Sequence, residues 1–404
     1  MKKIGLLGRI VIAIALAVGL GSLFRIVPEK FVHWFVETAS TFNMLFGGFL
    51  NFVVPLIIIA FIAPGIAKLG KGSGKTLGLA TAVAYMSTVI AGIIAFFAAS
   101  NILPGLIGQP SHDGIKDPTE SLVGPFFELE MTPLMGVMTA LLLAFLFGIG
   151  MAAIESKSLL SMFDELNVLI EKTISAVIIP LLPFHIFGIF LNMTYAGQVA
   201  RVLSVFAVVF VLIIILHLFM LMLQYTAAGA LTHRNPFRLL KTMAPAYFTA
   251  LGTQSSAATI PVTLRQARKT GASEKIVDFT VPLFATIHLS GSTITLTSCA
   301  IGVMLMNGVP VTFGGMIGFI LMLGVTMIAA PGVPGGAVMA AIGLLSSMLG
   351  FTEPMLALMI ALYMAQDSFG TATNVTGDGA LAIITDRFAT GKAAVPVESG
   401  TKAV

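Results

Sequence analysis

Four side chains near the C-terminus are placed to do chemistry together. Asp367, Thr371, Asn374 and Asp378 recur at i, i+4, i+7 and i+11 in a strongly apolar run that begins at Ala357. In a helix of 3.6 residues per turn they share one face. An ionised carboxylate deep in a membrane costs at least about 2.5–3.5 kcal/mol, so it persists by pairing or by lining a polar cavity. Two carboxylates interleaved with a hydroxyl and an amide are suited to hold a cationic group. Three further segments carry small polar residues: Thr253–Pro261 with Ser255 and Ser256, Pro282–Ser292 with His288 and Ser290, and Ala330–Gly336 with Pro331, Gly332 and Pro334. Serines at a turn before a helix expose hydroxyls and backbone N–H groups to an anion, and glycines allow close backbone approach. The plainer reading of each is a turn of small residues in a helix-packing interface.

The composition says what must position these groups. Of 404 residues, 57% are hydrophobic and 10% charged, against about 25% charged in soluble domains; mean hydropathy is +1.00. This is an all-α, polytopic membrane protein. The single cysteine, Cys299, excludes an internal disulfide and a Cys-rich metal site. The net charge of +4 comes from cations flanking apolar spans, which speaks for loop topology and against a nucleic-acid partner. The apolar stretch after Lys2 and Lys3 lacks a small-x-small cleavage site and reads as a first span. Two intramembrane aspartates could suggest an aspartyl protease. However, Asp367 and Asp378 would stand about 16 Å apart along a helix, too far to share a proton. A channel is also disfavoured, because its filter would repeat by symmetry.

Apolar spans fall near 7–27, 44–67, 78–101, 132–154, 167–195, 199–230, 276–306 and 354–384. With eight spans the basic clusters lie on one side: Lys68, Lys71 and Lys75; His233, Arg234, Arg238 and Lys241; Arg265, Arg268, Lys269 and Lys275; Arg387 and Lys392. The positive-inside rule makes that side cytoplasmic, so the chain is expected to be integral to the cell (inner) membrane with both termini cytoplasmic. Two shorter interrupted segments, about 239–265 and 314–349, then begin and end on the same side, the first inside and the second outside. They are expected to be re-entrant hairpins, because non-helical backbone at membrane depth must be buried in protein or line a cavity. Opposed broken segments are the pattern of inverted-repeat transporters.

The serine-rich Thr253–Pro261, the segment Pro282-Leu-Phe-Ala-Thr-Ile287, Gly332-Val-Pro-Gly335 and Asn374-Val-Thr-Gly-Asp378 in this order resemble the glutamate transporter family of dicarboxylate/amino acid:cation symporters. The match runs motif by motif over the C-terminal 170 or so residues, and over the rest by span order. The resemblance implies a homotrimer in the lipid bilayer. It also implies a scaffold from about 7–67 and 132–195 and a transport domain from about 78–101 and 199–390 that moves as an elevator. In substrate binding it assigns the α-ammonium to Asp367 and polar contacts to Thr371 and Asn374. Ser255, Ser256 and the neighbouring backbone take the α-carboxylate, and Ser292, Val333, Gly336 and Gly370 complete the pocket. One Na+ site is implied at Asp378 with carbonyls of Phe284, His288 and Asn374. A second is implied at carbonyls of Thr286, Met327, Ile328 and Ala330. No organic cofactor is implied.

The departures bear on substrate and ions. Members that take acidic substrates carry an arginine at the position of Gly370; Gln254 and Tyr363 also replace charged family residues. With no cation, a substrate carboxylate would be desolvated without compensation, so a small neutral amino acid such as serine, threonine or alanine is expected, ahead of a dicarboxylate or acidic amino acid. Ser290 stands where a third sodium site has its carboxylate, and Val89 replaces that site's serine beside Tyr85 and Thr88. Fewer coupled ions follow. His288 is either a titrating, proton-coupling group or a neutral core histidine that lends only its carbonyl. His185 and His217 are expected to be core or interface residues.

Overall fold

The computed structural model describes residues 6–24, 28–70, 74–107, 123–129, 131–197, 199–328, 330 and 334–390. These are helical almost throughout, with no strand among the described residues. In chain order the helices are α1 Leu6–Leu23, α2 Glu29–Gly70, α3 Gly74–Ile107, α4 Val137–Ala153, α5 Lys157–Thr173, α6 Ile179–Tyr195 and α7 Val199–Thr232. There follow α8 Pro236–Thr253, α9 Ser256–Arg268, α10 Glu274–Ile287, α11 Ser290–Met306, α12 Phe313–Met327, α13 Gly336–Leu349 and α14 Glu353–Thr390. Helical segments cover all eight expected spans, and both interrupted segments are helical hairpins, α8–α9 and α12–α13.

Three spans differ from their sequence reading. The second begins at Glu29 and continues as one 42-residue helix. The fifth begins at Lys157, and α5 passes into α6 through a π-turn, Ile174–Ile178. Its Ile179 N–H reaches back to the Ile174 carbonyl, just ahead of Pro180, whose missing N–H interrupts the ladder. The seventh is not one helix. It breaks after α10, where His288 is extended (φ −108°, ψ 103°), and restarts at Ser290.

Local chemistry sets the hairpin ends. Asn235 caps α8 by accepting from the N–H groups of Phe237 (2.9 Å) and Arg238 (3.2 Å), with Pro236 at the first helical position. The α8–α9 turn needs only Gln254, left-handed at φ 54°, and Ser255, whose hydroxyl caps α9 by accepting from Ala258 N–H at 3.3 Å. Gly335, at φ +76°, opens α13 from the left-handed region that glycine adopts without strain. Its Cβ position is also closed by the Met364 sulfur at 2.8 Å.

Helices α1, α2, α4, α5 and α6 pack mainly on one another. Helix α14 is the axis of the remainder, contacted by α3, α7, α8, α9, α10 and α11. Between the two groups α13 packs on α2 and α4, and the Glu353 carboxylate at the start of α14 rests against Gly47 of α2.

Candidate functional site

Helix α14 runs unbroken through all four polar residues of the sequence motif, and each is buried. Asp367 meets the tip of the second hairpin: the Gly335 N–H donates to its Oδ2 at 2.7 Å. One turn earlier, the fully buried Tyr363 donates to Ser292 Oγ at 3.2 Å. Ser292 Oγ also accepts from Asn374 Nδ2 at 3.0 Å. Asn374 Oδ1 accepts from the N–H groups of Gly291 (2.7 Å) and Ser292 (3.3 Å). Helix α11 has no cap from its own side chains, so Asn374 caps it from across the interface. Hydrogen bonds therefore join Tyr363, Ser292 and Asn374 to the first turn of α11, while Asp367, one turn from Tyr363 on α14, holds the second hairpin.

His217 of α7 secures the same turn, reaching the Gly291 carbonyl at 3.0 Å and Thr295 Oγ1 at 3.2 Å. As expected, it is a core histidine with a hydrogen-bonded ring nitrogen. His185 is likewise buried, its ring 4.9 Å from that of Phe46.

A second polar cluster surrounds Asp378. His288, turned inward by the break between α10 and α11, places Nδ1 2.8 Å from Asp378 Oδ1. Its Nε2 lies 3.1 Å from Ser87 Oγ of α3. Gln224 of α7 donates to Ser87 Oγ at 2.9 Å and to Ser290 Oγ at 3.2 Å. One assignment satisfies these donors: Gln224 to Ser87, Ser87 to His288 Nε2, and His288 Nδ1–H to Asp378. The buried ring is engaged at both nitrogens, so His288 brings its side chain to the Asp378 cluster. Gly377 makes the approach possible, since a Cβ there would stand 2.6 Å from Gln224 Oε1 and 2.9 Å from His288 Cε1.

The other carboxylate oxygen, Asp378 Oδ2, is buried with no hydrogen-bond partner among the described residues, as is Gln224 Oε1. A half-satisfied carboxylate at membrane depth suits a bound cation. For the expected Na+ ligands, the Phe284 carbonyl accepts the His288 N–H at 2.9 Å, and Asp378 is the charged group of the set. In the second expected set, Ile328 follows the C-terminal end of α12 and packs against the cluster holding Phe284 and Ile287. Met327 accepts from Ala330 N–H at 3.4 Å. Thr286 is exposed and its hydroxyl bonds to the Leu283 carbonyl.

A Cβ at Gly370 would lie 3.5 Å from the Ser292 nitrogen and 3.5 Å from Thr295 Oγ1, in ordinary contact. Gly291 faces it even more closely, its Cβ position 2.4 Å from the Gly370 carbonyl. The pair is a close crossing of α14 over α11, so the volume belongs to a neighbouring helix. Neither Tyr85 nor Thr88 makes a hydrogen bond to Ser290 among the described residues. Tyr85 Oη reaches the Leu321 carbonyl at 3.3 Å and Thr88 Oγ1 its own helix at 2.9 Å; the residue that α3 sends to the cluster is Ser87.

Ser255 and Ser256 stand at the first hairpin tip, partly exposed, with both arms packed on α14. Gly336 and Thr371 are buried next to Gly335 and Gly370. Val333 lies outside the described residues. The sequence reading missed Gln224 and Ser87. Gln224 left a signal, an amide in the apolar span Val202–Thr232, seven residues after His217 and so on the same helix face.

The model of the Sodium:dicarboxylate symporter family matches residues 6–388. The chain belongs to this family. It is similar to the serine/threonine transporter SstT of Acinetobacter baumannii strain AYE, 25% identical over 392 residues, 93% of this chain and 95% of the relative. It is also similar to excitatory amino acid transporter 1 of Rattus norvegicus, 29% identical over 241 residues, 58% of this chain and 44% of the relative. This family member is an integral membrane transporter and not an enzyme.

Proposed function

We propose that this symporter couples entry of a small neutral amino acid, such as serine, threonine or alanine, to sodium. The observation that carries the substrate reading is the charge pattern around Asp367. From Ile276 to Asp386 the chain has no lysine or arginine, and none occurs within α3 after Lys75 or in the first hairpin between Lys241 and Arg265. An α-ammonium finds its anion in Asp367. A second carboxylate on the substrate would enter a buried site with no cation to meet it, a desolvation of several kcal/mol. The name of the serine/threonine relative supports the same class.

Asp378 is the proposed charged ligand of the coupling ion, through its unpartnered Oδ2. An oxygen set of carboxylate and carbonyls suits a hard cation. The carbonyls of Thr286, Met327, Ile328 and Ala330 form the proposed second ion site, at the negative end of α12.

In the proposed mechanism α3 and α7–α14 move as one unit against a scaffold of α1, α2 and α4–α6 in a homotrimer of the cell membrane, both termini cytoplasmic. Packing supports the division. The second hairpin rests on α2 and α4 through α13, whereas the first packs on α7, α10 and α14 and leaves Thr253, Ala257 and Ala258 exposed. The site is thereby read as facing the cytoplasm.

Uptake into proteoliposomes tests the proposal. Serine, threonine or alanine should accumulate under an inward sodium gradient and outcompete aspartate and succinate. Stronger competition by aspartate, or accumulation indifferent to sodium, would overturn it.

A further inference from the structure

A cavity of about 940 Å³ borders neither Asp367 nor Asp378; sites for small organic molecules span about 300–1,000 Å³. Helix α2 lines it from Ser40 to Pro55, about 22 Å of helix at 1.5 Å per residue. Helix α6 adds its face from His185 to Asn192. On the opposite side stand α13, from Ile342 to Ser347, and Glu353 at the start of α14. The chain leading into α4 closes the third side with Glu128, Leu129, Met131 and Met135.

That third wall is fixed in place. The Asn192 side-chain amide pairs with Val123 as a neighbouring strand would, accepting from its N–H at 3.0 Å and donating to its carbonyl at 2.8 Å. Ser40 Oγ donates to the same carbonyl at 2.8 Å. Thr41 Oγ1 accepts from the Phe126 N–H at 2.9 Å.

Two polar groups meet the cavity beside one stretch of α2. The Glu353 carboxylate rests against Gly47, and the His185 ring lies 4.9 Å from that of Phe46. With the Asn43 amide turned so that its nitrogen faces His185, that nitrogen donates to the His185 carbonyl at 3.1 Å and to Nδ1 at 3.2 Å, and its oxygen accepts from the Ile189 N–H at 3.1 Å. Nδ1 is then the acceptor nitrogen and Nε2 carries the proton. His185 is 2% exposed, and its Nε2 meets no hydrogen-bond partner among the described residues. A buried donor without a partner favours an occupant that accepts. Glu128 and Glu353 line the cavity, and no lysine or arginine does among the described residues. An ammonium therefore finds a counter-charge there, in surroundings where the attraction exceeds its value in water, and an anion finds none. Met44, Val54, Ile189 and Ile342 supply apolar surface for the body of such a molecule.

We propose that this cavity binds an amphipathic organic cation: an amine whose ammonium meets Glu353, whose apolar body lies along Met44, Ile189 and Ile342, and whose hydrogen-bond acceptor takes the His185 Nε2–H. The occupant touches α2 and α6 on one side and α13 and α14 on the other. It therefore wedges the two groups together and slows transport without entering the site at Asp367. That consequence, and not the binding, rests on the proposed movement of one group against the other.

Calorimetry on the full chain in lipid nanodiscs, with empty nanodiscs as the reference for partitioning into lipid, tests the site with naphthyloxypropylamine, naphthyloxypropanol and naphthyloxypropanoic acid. These share an aromatic body and an ether acceptor and differ in charge. The amine should bind saturably, at least about tenfold more tightly than the alcohol, and the acid more weakly than either. Glu353→Gln should remove that advantage and leave alcohol affinity unchanged. Should Glu353→Gln be unstable, Ser347→Trp, which fills the cavity from α13, should weaken all three compounds. In proteoliposomes the amine should lower the maximal rate of serine uptake and leave the KM for serine unchanged. Equal binding of amine and alcohol, a Glu353→Gln or Ser347→Trp protein that binds the amine as wild type does, or inhibition that raises KM alone would overturn the site. Saturable, Glu353-dependent binding with an undiminished uptake rate would uphold the site and overturn the movement at this contact.

Discussion

Asp367 holds the tip of the second hairpin at 2.7 Å through the Gly335 N–H, so the residue proposed to take the ammonium also touches the element that covers it. Asp367→Asn keeps the shape and an oxygen acceptor but removes the charge. Losing one partner of a buried charge pair costs about 3–5 kcal/mol. Amino-acid affinity should fall at least about a hundredfold, with the thermal midpoint shifted by only a few degrees; unchanged affinity by calorimetry would refute the assignment. Asp378→Asn should act differently. It removes the charge behind the unpartnered Oδ2, so a higher sodium concentration should be needed for half-maximal substrate binding, while the ranking of substrates stays as in wild type. A changed ranking with normal sodium dependence would show that Asp378 faces substrate. At Gly370 the geometry separates two substitutions. A Cβ is in ordinary contact there, at 3.5 Å from its nearest neighbours, so Gly370→Ala should bind near wild-type strength. Gly370→Arg must part α14 from α11 and bury an unpaired cation; it should lose neutral substrates and lower the melting temperature. An arginine variant of wild-type stability would show open space that the crossing does not provide.

The break between α10 and α11 is the element-level feature that makes the polar cluster around Asp378. A continuous helix would keep the His288 backbone within the ladder. The extended residue instead turns the imidazole onto Asp378, while α11 restarts at Ser290 with Asn374 as its cap. Gly377 completes the arrangement by letting Gln224 and His288 approach α14. Gly377→Ala puts a methyl 2.6 Å from the Gln224 oxygen and 2.9 Å from the imidazole. Overpacking of this kind costs about 1–3 kcal/mol. It should lower thermal stability and weaken sodium dependence together, and Gln224→Ala, which vacates the space, should partly restore both. Unaltered stability in Gly377→Ala would mean that the cluster is looser than its distances imply.

At the scale of the molecule the contact between Glu353 and Gly47 joins the unit built on α14 to the group around α2. If transport moves one against the other, a covalent link at this point must stop it. In a Cys299→Ser background, which leaves no other cysteine, Gly47→Cys with Glu353→Cys should be joined by a short bis-methanethiosulfonate cross-linker, since the Glu353 side chain spans the gap to Gly47. Uptake should cease when the link forms and return on reduction. Full uptake by the quantitatively cross-linked protein would rule out relative movement at this contact.

The sequence alone determined the membrane class, the helical spans, the two hairpins and the polar face of α14. Each is local: hydropathy reports burial along one segment, Gly and Pro report breaks, and a 3.6-residue period reports a face. The family motifs fixed which segments come together. What only the tertiary structure decided is which atoms are already engaged. Asn374 was legible as a polar site residue, but its duty as the cap of α11 depends on a second helix ending beside it. Gly370 was legible as uncharged, but a missing side chain reads as space until Gly291 is seen to fill it. Ser87, rather than Tyr85 or Thr88, hydrogen-bonds the cluster around Asp378 because rotation of α3 about its axis is set by packing against α7 and α11, which no spacing within α3 records.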